Sequence, residues 1–283
     1  MKIIECPRDA MQGIKTFIPT QQKIAYLNQL LKVGFDTLDC GSFVSPKAIP
    51  QLKDTQEVLA GLDRTGSTSK LLCIVANERG AEDAVAIPAI DFLGFPLSIS
   101  ETFQQRNTNR SISQALNQVA HIQNLCLKHH KTLVVYISMG FGNPYGEPFD
   151  ESIVADFVER LHQIEIEIIS LSDTIGVAEP EVIKRIFKKS ITAYPTIEFG
   201  AHFHSTPDTT KEKIEAAYAA GCRRFDAAIK GFGGCPMAAD ALTGNVATEV
   251  LLATIRELEG ELSYDKEAFE KAQIMSLDVF AHA

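Results

Sequence analysis

Apolar positions along the chain alternate between two spacings. Short β-branched or aromatic runs read as strands at 2–6, 35–39, 70–75, 90–96, 132–138, 167–171, 197–204 and 223–229. Between them, apolar residues recur three and four apart. These stretches predict helices at 21–33, 48–62, 78–87, 113–130, 150–163, 180–193, 207–220 and 245–258. In the first helix Ile24, Leu27, Leu30 and Leu31 form the apolar stripe, Thr20 stands as N-cap and Gly34 as the C′ residue. Leu116, Val119, Ile122 and Leu125 mark another helix, and Pro180 suits a first helical position. The helix at 48–62 is less regular, with Pro46 and Pro50 at its start. Residues 265–283 read as one or two further helices outside the repeat.

Eight strands alternating with eight helices predict an α/β fold, a (β/α)8 TIM barrel with extra C-terminal helices. One domain spans 1–283, with the barrel to about residue 260 and a helical extension over 261–283. An open doubly wound sheet would need a glycine-rich turn after the first strand, and Pro7-Arg8-Asp9 is not one.

Composition narrows the partners. The net charge is −9, with 45% hydrophobic residues. No basic run is present, so neither nucleic acid nor an anionic membrane is expected as a partner. No apolar run approaches the roughly 18 residues of a membrane span. The chain starts at once with a strand-like segment and shows neither a signal peptide nor a C-terminal address, so a cytoplasmic protein is expected. The six cysteines, Cys6, Cys40, Cys73, Cys126, Cys222 and Cys235, have no CxxC spacing and read as reduced thiols.

In a barrel of this kind, chemistry sits where strands run into the following loops. Polar residues expected on that rim are Arg8, Asp9, Gln12, Asp39, Asn77, Tyr136, Ser138, Ser170, Ser172, Asp173, His202, His204 and the loop up to Asn245. His202 and His204 are i and i+2 in a strand, so both imidazoles share one face about 6–7 Å apart along the chain. Two ligands of one metal ion, or two buried imidazoles bonded to backbone, both fit that pair. Asp9, His202, His204 and Asn245 together make a mixed nitrogen and oxygen set suited to Mg²⁺ or Mn²⁺. Cys235, in Gly231-Phe232-Gly233-Gly234-Cys235-Pro236, reads either as a reactive acid or as a small buried residue. Asp173 reads either as a general base or as the residue that holds its own loop. Arg8 suits a surface ion pair, or a bound carbonyl or carboxylate.

Five motifs then carry a resemblance. Pro7-Arg8-Asp9-Ala10-Met11-Gln12, Ser42-Phe43-Val44-Ser45-Pro46-Lys47, Ser172-Asp173-Thr174-Ile175-Gly176, His202-Phe203-His204, and Gly233-Gly234-Cys235-Pro236 with Gly244-Asn245 resemble the 3-hydroxy-3-methylglutaryl-CoA lyases, a branch of the DRE-TIM metallolyases. The resemblance runs in order over nearly the whole chain. It implies a divalent-metal-dependent carbon–carbon lyase releasing acetyl-CoA and a 3-oxo acid, at work in leucine degradation and ketone body metabolism, with an acyl-CoA as partner and a homodimer as assembly. It implies Asp9, His202, His204 and Asn245 as metal ligands. Arg8, Asp39, Asp173, His202 and Cys235 would be catalytic: Arg8 would stabilise the enolate, Cys235 would protonate it, and Asp173 would reach the substrate hydroxyl. Arg8, Gln12, Lys15, Tyr136, Ser138 and Ser170 would hold substrate, Lys15 near the CoA phosphates. Phe203, Phe232 and Met237 are the candidates for shaping the pocket around C3.

Two positions depart from the family. Asp39 stands where glutamate is usual, and Ser205 follows the histidine pair where aspartate is usual. The RD and HxH signatures alone would also fit a Claisen-type condensing enzyme, and a barrel binding metal and acyl-CoA without turnover is the third reading. The GGCP segment argues for the lyase.

Overall fold

A computed structural model describes residues 1–234 and 243–281. The elements in order are β1 Lys2–Glu5, α1 Pro7–Gln12, α2 Thr20–Val33, β2 Thr37–Ser42, α3 Thr55–Ala60, β3 Lys70–Ile74, α4 Glu78–Val85 and β4 Phe92–Ser98. Then come α5 Glu101–Thr108, α6 Ile112–Lys128, β5 Thr132–Ser138, α7 Glu151–Gln163, β6 Ile168–Asp173 and α8 Pro180–Ala193. The chain continues through β7 Glu198–Ser205, α9 Thr210–Ala219, β8 Arg224–Ala227, β9 Gly244–Asn245, α10 Thr248–Glu259 and α11 Lys266–Val279. Strands β1 to β8 pair in parallel with their neighbours, and β8 returns to β1 with Ile3 opposite Phe225. The predicted TIM barrel is the fold observed.

Alternation along each strand divides the core in two. One face meets the helices; there Leu27, Leu30, Phe95, Val119, Ile122, Phe187 and Leu251 are fully or almost fully buried. The other face fills the barrel, where Leu72, Ile74, Val134, Tyr136 and Ile168 pack together with Phe92.

Several boundaries differ from the sequence reading. Strand β2 is displaced toward the C-terminus, to Thr37–Ser42, with a bulge between Asp39 and Gly41. The helix expected at 48–62 splits into a 3₁₀ turn, Pro50–Leu52, and the short α3. Thr20 is the first residue of α2 and Pro19 the cap; the Thr20 hydroxyl donates to Asp54 instead. Two helices carried no periodic signal. Helix α1 is too short for one, and α5 is strongly polar, held at its start by the Ser100 hydroxyl accepting from the Phe103 amide. The described part of the tail forms one helix. It packs on α2 through Tyr26 against Phe280 and Gln29 donating to the Ala268 carbonyl. Asn245 does not begin a helix. It lies in β9, antiparallel to the end of β7, with Asn245 opposite His204 and Gly244 opposite Ser205.

Candidate active site

Strand β1 runs into α1 through Cys6 and Pro7, and Pro7 takes the first helical position, where no amide donor is needed. The turn places Arg8 and Asp9, both 7% exposed, at the C-terminal mouth of the barrel. Burial would lower the Arg8 pKa, but the charges of Asp39 and Asp9 outweigh it and raise it. Its Nε and Nη2 grip Asp39 at 3.0 and 2.5 Å, a bidentate pair, while Nη1 reaches Asp9 at 3.1 Å and Gln12 at 3.0 Å. Burial pushes the Asp39 carboxyl above its ordinary range, and the charge and hydrogen bonds of Arg8 offset only part of that. Asp9 is pushed up by burial too, but Arg8, His202 and His204 outweigh it and hold it at about 2.

The two imidazoles of β7 stand on the same inner face, ring centres 5.5 Å apart. A ligand atom from each of Asp9, His202 and His204 lies within 4.8 Å of the others. One carboxylate and two imidazoles converging this closely fit a divalent ion. Burial first, then the neighbouring His202, lowers the His204 pKa to about 4, so it is the neutral, ligating form at pH 7. Asn245 completes the group: its Nδ2 donates to Asp9 Oδ2 at 2.8 Å and to the Phe232 carbonyl at 2.8 Å. The glycine-rich turn must approach closely here. A Cβ at Gly233, where φ is +84°, would sit 2.7 Å from the Ala10 Cα and 2.9 Å from the Asn245 amide.

A cavity of about 380 Å³ opens from this cluster. Arg8, Asp9, Gln12, His202 and His204 line it, together with the apolar Ile49, Ile74, Ala76, Pro96 and Phe103. Tyr136 and Ser138 also line it, Tyr136 edge-on to His202 with ring centres 5.4 Å apart.

Other expected residues are placed differently. Asp173 does not line the cavity, and its oxygens are committed. Oδ2 accepts from Lys213 at 2.7 Å and from the Ala178 amide, and Oδ1 accepts from the Val177 amide. In this arrangement Asp173 holds its own loop, the second of the two readings its sequence allowed. Asp39 is not among the residues lining the cavity and is engaged by Arg8, which does line it. Lys15 is exposed beyond α1 and lines no part of the cavity. Ser170 is fully buried on the barrel floor, beside Gly200. Phe203 points away from its histidine neighbours and packs edge-on to Phe141 and Phe187, as alternation requires, so it does not shape the pocket. Phe232 stacks on Phe280 at 4.6 Å. Ser205 does not support His204 through its side chain; its hydroxyl pairs with Thr210 at 2.7 Å. Cys235 and Met237 lie outside the described residues.

Four groups escaped the sequence reading. Arg106, Asn107 and Thr108 of α5 line the cavity mouth, on a helix with no apolar stripe to announce it. Lys213 is buried against Asp173. Glu5 is fully buried, its two oxygens accepting from the Ile229 amide and the Thr248 hydroxyl at either end of the glycine-rich connection. Asp226, on β8, accepts from His202 Nδ1 at 3.0 Å. A charged pair two apart in a strand, Arg224 and Asp226, was the one available signal for that last group.

The sequence matches the HMGL-like family over residues 2–276. The hydroxymethylglutaryl-CoA lyase YngG of Bacillus subtilis is 33% identical over 89% of this chain and 84% of its own length. A Pseudomonas aeruginosa protein, 3-hydroxy-3-isohexenylglutaryl-CoA/hydroxy-methylglutaryl-CoA lyase, is 34% identical over 94% of this chain and 88% of its own. Among solved structures, the Bacillus subtilis HMG-CoA lyase superposes with a TM-score of 0.92 at 30% identity, over 99% of this chain and 93% of that one. A family match over nearly the whole chain, carried by the same barrel and by identities near one third, places the protein in the HMGL-like family, among the HMG-CoA lyases.

Proposed function

We propose that the protein is a divalent-metal-dependent lyase that cleaves 3-hydroxy-3-methylglutaryl-CoA, or a close 3-alkyl homologue, to acetyl-CoA and a 3-oxo acid. The observation that carries this reading is the convergence of Asp9, His202 and His204 beside Arg8 in a cavity that apolar side chains also line. Asp9, His202 and His204, with Asn245 beside them, would hold the ion, and hard oxygen donors with imidazole suit Mg²⁺ or Mn²⁺. Bound there, the ion supplies Lewis acidity to the oxygens of the substrate.

The remaining work belongs to the chain. Breaking the bond next to a tertiary alcohol sends the hydroxyl proton to a base, for which Asp173 is proposed from its sequence motif, and leaves the electron pair on the carbon alpha to the thioester, as an enolate. Arg8 is a fixed positive charge beside that position, and a preorganised charge of this kind is commonly worth about 3–4 kcal/mol. Asp39 holds the guanidinium plane. Gln12, bonded to both Arg8 and Asp9, fixes their mutual geometry. Tyr136 and Ser138 offer hydroxyls to the substrate. Ile74, Pro96 and Phe103 are part of the apolar lining, and a C3 substituent larger than methyl would be received there. Cys235 is proposed from its sequence motif as the acid that returns a proton to the enolate.

Incubating the protein with Mg²⁺ and 3-hydroxy-3-methylglutaryl-CoA and following acetyl-CoA tests this reading. Release of acetyl-CoA with an equal amount of acetoacetate is expected. No product with this substrate or with its 3-isohexenyl homologue would refute it.

A further inference from the structure

We propose that Asp226, with Arg224 beneath it, is a positioning residue that dictates which nitrogen His202 offers to the metal. The inference rests on the metal site proposed above. It begins from the imidazole, whose two nitrogens are not equivalent once one of them is engaged. His202 Nδ1 lies 3.0 Å from Asp226 Oδ2. A carboxylate can only accept, so this bond places the proton on Nδ1 and leaves the Nε2 lone pair for an ion shared with Asp9 and His204. The strands enforce the match. Ala201 pairs with Phe225, so His202 of β7 and Asp226 of β8 are neighbours on the inner face of the barrel. Asp226 is 3% exposed and has no freedom to turn toward solvent.

A buried carboxylate needs a countercharge. Arg224 stands two residues earlier on the same inner face, 1% exposed. Its Nη1 donates to Glu198 at 3.1 Å, while Nε and Nη2 have no partner among the described residues. Asp226 Oδ1 likewise has none. Two bonded pairs, Glu198–Arg224 and Asp226–His202, thus stand on the barrel interior, and between Arg224 and Asp226 the coupling is the attraction of opposite charges without a hydrogen bond. Gly200 makes room for Arg224: a Cβ there would meet its side chain at 3.1 Å.

A rival arrangement exists on the same residues. Cys6, His202 and Asp226 also present ligand atoms within 4.8 Å of one another. An ion held there would take Nδ1 and make Asp226 a ligand in its own right.

The test uses the full chain and three readouts. Mn²⁺ affinity is measured by titration for the parent, Asp226→Asn and Arg224→Lys. The His202 tautomer is read by nitrogen-15 NMR in metal-free protein at alkaline pH, where the imidazole is neutral. Absorption of the Cd²⁺ complex is compared between parent and Cys6→Ser. The expected results are an Nδ1–H tautomer in the parent, lost or mixed in Asp226→Asn, and Mn²⁺ binding weakened about 10–100-fold in that variant. The melting temperature should change little, and Arg224→Lys should give a smaller loss in the same direction. Parental Mn²⁺ affinity in Asp226→Asn, or an Nε2–H tautomer in the parent, overturns the proposal. So does a cadmium–thiolate band that disappears in Cys6→Ser, because it would make Asp226 a ligand. Should Asp226→Asn fail to fold, the parent's tautomer and the Arg224→Lys affinity still decide. A parent that binds no Mn²⁺ refutes the metal site itself, while the tautomer continues to report on Asp226.

Discussion

The two halves of the barrel interior are filled in opposite ways. Strands β3 to β6 send in the apolar cluster of Leu72, Ile74, Phe92, Val134, Tyr136 and Ile168, joined by the uncharged hydroxyls of Tyr136, Ser138, Ser170 and Ser172. Strands β7, β8, β1 and β2, with the α1 turn, send in His202, His204, Arg224, Asp226, Asp39 and, at the rim, Arg8 and Asp9. The first half behaves as a core: its contacts are numerous, non-directional and interchangeable in kind. The second is a polar network in low dielectric, where each member is held by a particular partner and loss of one leaves another stranded. One face of the substrate cavity thereby becomes a wall and the other a reagent. Stability and chemistry should accordingly separate by half.

That separation can be broken by mutation. Leu72→Ala, on the apolar side, should cost about 2–5 kcal/mol of stability through the void it leaves, read by denaturant unfolding, while Mn²⁺ affinity stays at the parental value. A matching loss of metal affinity would show that the two halves are not independent. His204→Ala should do the reverse. Metal binding should weaken by more than about 100-fold, beyond the range of outer-shell changes, with the melting temperature of the metal-free protein little altered. Tight metal binding in that variant would remove His204 from the ligand set.

The Arg8–Asp39 pair belongs to the polar half. Asp39→Asn keeps the shape but removes the charge that holds the guanidinium, so kcat should fall at least about tenfold, roughly 1.4 kcal/mol. Asp39→Glu lengthens the arm and pushes Arg8 toward the cavity, and a smaller loss is expected. Steady-state kinetics with one acyl-CoA ranks the three; an Asn variant with parental kcat would leave Arg8 held by Asp9 and Gln12 alone.

The smallest effect concerns Glu5, behind β1. Burial raises its pKa from 4.5 to about 8, against the lowering effect of Thr248 and Ile229. The fold therefore retains a proton that the unfolded chain gives up. The stability from this group is complete below about pH 4.5 and is lost as pH rises toward 8. Glu5→Gln, which does not titrate, should match the parent's melting temperature near pH 5 and exceed it above pH 8. Parallel pH profiles for the two proteins would show that Glu5 is ionised in the fold throughout.

The alternation of strand and helix, and with it the barrel, is legible in the order of residues alone. Period two and period 3.6 are local properties, legible wherever one face of an element is buried. The histidine pair is legible too, because i and i+2 in a strand share a face whatever the strand packs against. Elements whose shape owes little to burial were not legible: α1 is too short to show a period and α5 too polar. The tertiary structure alone decided which polar residues reach one another. Asp39 and Asp173 looked alike as rim carboxylates. One turned out to grip Arg8, and the other Lys213 and two amides, partners 31 and 40 residues away in the chain. Asp226 became a neighbour of His202 only through the register of β7 on β8, and Asn245 became a neighbour of Asp9 only because β9 pairs with β7. A side chain's direction is written in the local spacing. Its partner is set by where the closed sheet brings other strands, and no window of sequence contains that.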